Sequence, residues 1–131
     1  MAAIANLAVV RGDTLVLTAS VKQSDGVTAF NLTGCTMWFT VKDSRDTLAD
    51  DTAAISKLYW VSGGAALGIA VATPATGVGT ITMPAADSAN LNPALTYVYD
   101  VQVKDASGLI FTVVQGTIAP SADTTVRVTT P

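Results

Sequence analysis

The sequence predicts an all-β fold, a single antiparallel β-sandwich of about seven strands, and three observations carry that prediction. The acidic residues, ten in number, are all Asp and none is Glu; Asp favours turns and caps whereas Glu forms helices. Thr and Val, both β-branched, recur throughout. Short stretches of period-two alternation are separated by Gly, Asn and Asp turn signals, with no sustained helical period. At 131 residues the chain is one domain in size.

The elements follow in order. "TLVLTASV" (Thr14–Val21) places Leu15, Leu17, Ala19 and Val21 on one face, and "QSDG" turns the chain at Gly26. Phe30 and Leu32 are expected to plug the sandwich edge. "CTMWFTVK" (Cys35–Lys42) alternates Cys35, Met37, Phe39 and Val41 against Thr36, Trp38, Thr40 and Lys42, which leaves Trp38 on the less apolar face, under a loop or at an interface. "ISKLYWV" (Ile55–Val61) and "VGTITMP" (Val78–Pro84) are two further strands. The Gly/Ala-rich piece between them reads as a long hairpin or flexible insertion. "AADSANLNP" has room for one helical turn, capped by Asp87 or Ser88. "TYVYDVQVK" (Thr96–Lys104) is the strongest strand, and "DASG" turns it into "LIFTVVQGTI" (Leu109–Ile118) as a hairpin. "TTVRVTTP" is expected to close the chain in extended form. The domain reading is an N-terminal arm over residues 1–10 and a sandwich over 11–131 with an excursion at 60–77.

Composition excludes much. Half the residues are apolar and 13% are charged, which excludes disorder. No apolar run approaches the ~18 residues of a membrane span, and the N-terminus lacks a basic signal-peptide region, so a soluble, cytosolically made protein is expected. The net charge of −3 argues against nucleic acid as a partner. Cys35, the single cysteine, cannot form an intrachain disulfide and reads as a small buried hydrophobe. Without histidine, the usual general base, the Ser-His-Asp and Cys-His arrangements and most zinc sites are missing. No phosphate-binding glycine loop is present. The expectation is a non-enzymatic protein with no cofactor and no metal.

Two local features carry competing readings. Asp43, Asp46, Asp50 and Asp51 offer oxygens for calcium, but their spacing matches no EF-hand, and a solvated acidic loop held partly by Arg45 is expected instead. "RGD" (Arg11–Asp13) matches an integrin-binding tripeptide, yet it abuts a strand. Gly12 would permit a bend there, and Asp13 would cap the backbone.

The segment "VVRGDTLVLTASVKQSDGVTAFNLTGCTMWFTVKDS" resembles the immunoglobulin-like N-terminal domain of bacteriophage baseplate upper proteins. The shared features are the "RGDT" at Arg11–Thr14, the turn at Asp25-Gly26, the corner Leu32-Thr33-Gly34 and the strand Phe39–Lys42. In the second half, Tyr97, Tyr99, Asp100, Gly108, Thr112 and Gly116 fill the similar hairpin pattern, and "ADTTVRV" resembles the closing segment. The resemblance implies an immunoglobulin-like sandwich and a structural or accessory role in a phage virion, made in the host bacterial cytoplasm. The chain ends where baseplate upper proteins continue, and a stand-alone sandwich suits a capsid decoration (cement) protein; a baseplate or tail adaptor is the closest alternative.

The implied partners are other phage structural proteins, either the major capsid protein or tail and baseplate proteins, met by a homo-oligomer or by many copies. The candidate interface residues are Ile4, Leu7, Trp38, Leu58, Trp60, Leu67 and Ile69, with 1–10 and 60–77 expected to order on assembly. A host-surface glycan or receptor module would instead use Trp38, Tyr59 and Trp60.

Overall fold

A computed structural model describes residues 2–45 and 50–124. The strands are β1 (Ala3–Ile4), β2 (Leu7–Val10), β3 (Leu15–Ser20), β4 (Thr36–Asp43), β5 (Ser56–Val61), β6 (Ala66–Leu67), β7 (Ile69–Ala70), β8 (Val78–Met83), β9 (Tyr97–Lys104) and β10 (Ile110–Ser121). Seven of them have four or more residues; β1, β6 and β7 are two-residue pieces. A single helical turn, α1 (Ala85–Ser88), follows β8.

The strands form two layers. One sheet has seven strands in the order β1-β10-β9-β4-β5-β6, with β2 also on β10; the other has three in the order β3-β8-β7. This partition, with β3, β8 and β7 against β4, β9 and β10, makes an all-β sandwich. Among the strands named, pairings are antiparallel except those of β1 and β2, which run parallel to β10. Within residues 1–10, expected to form an N-terminal arm, Ala3–Ile4 and Leu7–Val10 are therefore strands of the large sheet. Most of residues 60–77 is likewise built in. Trp60 pairs with Ala66 across β5 and β6, and Ile69 pairs with Ile81 in the other sheet. The segment carries the chain from one layer to the other over Leu58. A Cβ at Gly68, where φ is +74°, would lie 2.7 Å from the Leu58 side chain, so the small residues of this stretch serve a close crossing.

The core lies between the layers and comes from alternate strand positions, as period two requires. Met37, Phe39 and Val41 pair with Val103, Val101 and Tyr99 across adjacent strands, and these six are buried together with Cys35 and Tyr97. The Phe39 and Tyr99 rings pack at 5.7 Å. Leu32 is fully buried, and Phe30 meets Phe111 edge-on at 5.3 Å. The β9–β10 turn closes as expected: the Asp105 carboxylate accepts from the backbone N–H of Ser107 and Leu109, and Gly108 takes φ +93°. The start of α1 differs from expectation. Pro84 occupies the N-cap position, and neither Asp87 nor Ser88 caps the turn. Both side chains reach other elements, Asp87 accepting from Ser56 Oγ at 2.8 Å and Ser88 Oγ accepting from the Gly12 N–H at 2.9 Å. The final extended piece lies outside the described residues beyond Thr124.

Candidate functional site

The pleat that sends Phe39 and Val101 into the core sends Trp38, Thr40, Lys42, Val98, Asp100 and Gln102 to the opposite face of the large sheet. Register aligns these residues into rows. Tyr59, Trp38, Gln102 and Thr112 lie side by side across β5, β4, β9 and β10. The next row is Lys57, Thr40, Asp100, Gln115 and Ile4. A register shift between Thr112 and Val114 marks a bulge in β10, which bends the strand. Ile4 and Asn6 stand on one flank and Asp51, from the 3₁₀ turn Asp51–Ala53, on another; the result is an open trough of about 840 Å³.

Charge in the trough is concentrated at one end. Lys42 Nζ lies 3.1 Å from Asp51 Oδ1. Burial pushes the Asp100 carboxyl above its ordinary pKa, the Asp51 carboxylate pushes it the same way, and Lys42 opposes both. The lining thus combines an aromatic face, side-chain amides, hydroxyls and a partly desolvated carboxyl.

The seven apolar candidates separate into three groups. Ile4 and Leu67 are exposed, at 75% and 54%. Trp38 and Leu7 are partly buried; Trp38 lines the trough, whereas Leu7 packs against the core. Leu58, Trp60 and Ile69 are core residues at 3%, 9% and 4% exposure, contrary to the expectation that they lie at the surface. The β5 pleat turns Leu58 and Trp60 inward and leaves Tyr59 partly exposed beside Trp38. Tyr59 and Trp60 therefore cannot act as one aromatic pair.

The acidic segment is dispersed rather than convergent. Arg45 Nη2 lies 2.6 Å from Asp43 Oδ2, and this guanidinium holds the Asp43 carboxyl down at about 2. Asp50 caps the 3₁₀ turn by accepting from the N–H and hydroxyl of Thr52, and Asp51 faces Lys42. Asp46 lies outside the described residues. Among the described residues, no three metal-ligating side chains gather.

Arg11–Asp13 forms the link between β2 and β3. The Asp13 N–H donates to the Val10 carbonyl at 3.0 Å, Gly12 has φ +86°, and Arg11 reaches Asp123 at 3.4 Å. Asp13 contributes to this turn through its main chain. Cys35 is buried, and burial raises its thiol pKa, which suppresses the reactive thiolate.

Asp100, Gln102 and Gln115 are the site residues that sequence reasoning overlooked. Outward polar positions in β4 and β9 were visible, but the pairing that sets them side by side was not. No protein-family model matches the chain, and no curated protein matches it significantly.

Proposed function

We propose that this chain is a non-enzymatic structural or accessory protein of a bacteriophage particle, and specifically a capsid decoration protein that acts through subunit contacts. The observation that carries the reading is where the phage-like motifs fall in the fold. Arg11–Thr14 is the crossing from β2 to β3, and Asp25-Gly26 is a surface turn in which Asp25 accepts from the N–H groups of Val27 and Thr28 at 2.8 Å. Leu32-Thr33-Gly34 is the corner before β4, with Leu32 buried and Gly34 at φ +79°. Tyr99 and Gly116 pair directly across the hairpin. The motifs are thus corner and pairing residues of one sandwich, which supports the resemblance as one of architecture.

Docking is the role such a scaffold can perform. Ile4, Val61, Leu109 and Ile110 are exposed apolar residues around the large sheet's outer face. In a multicopy shell, weak contacts of this kind add through avidity. A baseplate or tail adaptor is the second reading, favoured by the same motifs because they resemble a baseplate domain. Cryo-electron microscopy of intact particles tests both. Density for the chain over the icosahedral shell is the expected result, density at the baseplate establishes the adaptor, and its absence from purified particles overturns the proposal.

A further inference from the structure

We propose that the trough on the outer face of the large sheet is a binding site for a neutral oligosaccharide, with Trp38 as the stacking platform and Gln102, Asp100 and Gln115 as the hydroxyl-binding groups. The polar floor of the trough is distinct from the apolar residues proposed for docking, of which Ile4 and Ile110 stand at its edge.

A pyranose ring has an apolar C–H face and a ring of equatorial hydroxyls, so its binding site needs an aromatic plane beside planar polar groups. The trough has that composition. Trp38 lines it while remaining partly buried, so its indole is both held and accessible. Directly beside it in β9 is Gln102, and one row along are Asp100 and Gln115, paired with each other across β9 and β10. An amide both donates and accepts, and a carboxylate accepts two hydrogen bonds, which suits adjacent hydroxyls. Four of these residues stand on paired strands rather than loops, so their spacing is set before a ligand arrives. The volume of about 840 Å³ is enough for two or three sugar units and within the range of small-ligand sites.

Charge selects among sugars. Among the described residues the lining holds one cation, Lys42, against two carboxyls, Asp51 and Asp100, and Lys42 is already paired with Asp51. An acidic saccharide or a phosphate would meet Asp100 without a cation of its own; a neutral sugar would not.

The test is a two-dimensional NMR titration of the full chain with chitotriose, maltotriose and cellotriose, and with 3′-sialyllactose as the acidic comparison, each to about 10 mM, a range that captures weak single-site binding. The expected result is saturable shifts of the Trp38 indole N–H and the Gln102 and Gln115 side-chain amides with at least one neutral trisaccharide. Trp38→Ala, and separately Gln102→Ala, should weaken that binding by about tenfold or more. Gln102→Ala keeps the test valid if the tryptophan variant does not fold. No shift in these groups with any neutral probe overturns the proposal. Tighter binding of 3′-sialyllactose overturns the charge argument and with it the assignment. Shifts that depend on protein concentration without sugar would instead make this face a self-association surface and also overturn it.

Discussion

Gly116→Ala is the substitution for which the fold gives the sharpest expectation. Gly116 pairs with Tyr99 in the middle of the β9–β10 ladder, and its open side is filled by the link between β1 and β2. A Cβ built there would fall on the carbonyl oxygen of Ala5, a backbone atom with no rotamer to escape into. The alanine methyl and the native N-terminal segment cannot coexist, so that segment must lift from β10. Three kinds of contact go with it: the Ala5 N–H to the Gln115 carbonyl at 3.0 Å, the Tyr99 hydroxyl to the Ala5 carbonyl at 2.6 Å, and Thr117 to the Asn6 side chain at 3.2 Å. Thr117 donates to Asn6 Oδ1 through both its N–H and its hydroxyl, so four bonds are lost; at about 1 kcal/mol net per bond the loss is about 4 kcal/mol, with the Tyr99 hydroxyl left seeking a new partner.

For a domain of this size that corresponds to a fall in Tm of about 15 °C. It would be measured by circular dichroism melts and urea titration. Tyr99→Phe isolates one bond and should cost about 1 kcal/mol. The decisive comparison removes residues 1–6: in that background Gly116→Ala should become nearly neutral, because the group it collides with is gone. A Gly116→Ala protein within about 0.5 kcal/mol of the parent, or an equal loss with and without residues 1–6, refutes the reasoning.

Two other expectations are direct. Ser88→Ala deprives the Gly12 N–H of its acceptor beside a fully buried hydroxyl, and should destabilise by about 1–2 kcal/mol in urea unfolding, with Ser88→Thr failing to rescue if the pocket is as closed as its burial indicates. Asp43, whose carboxyl Arg45 holds down at about 2 against an ordinary 3.8, is depressed in the folded state. Its contribution is therefore present above pH ~4 and is lost as pH falls toward 2; an NMR titration should show that low midpoint, and Arg45→Ala should move it up toward 3.8.

The class of fold was legible in the sequence because it rests on local properties. Alternation in Thr36–Asp43 and Tyr97–Lys104 identifies which residues face inward, and the "DASG" turn joins two strands whose pairing needs no long-range information. Exposure of the apolar candidates was legible only in part. Ile4 and Leu67 stand at the surface, but the β5 pleat turns Leu58 and Trp60 inward, and Ile69 is buried within a crossing that the Gly/Ala-rich composition mimics as a flexible loop. Hydropathy measures a residue's preference for burial and cannot say which of several apolar faces finds a partner.

What the tertiary structure alone decided is adjacency across strands distant in the chain. The parallel docking of β1 and β2 on β10 joins residues more than a hundred positions apart, and no turn residue encodes it. The trough has the same origin: Trp38, Asp100 and Gln115 become neighbours through register, set when two apolar faces close on a common core. A one-residue slip would reverse every side chain, so the burial of Phe39 and Val101 is also what holds the polar outer row in place. The chain's local pattern determined strands and their inward faces; the closing of the core determined which outward residues meet.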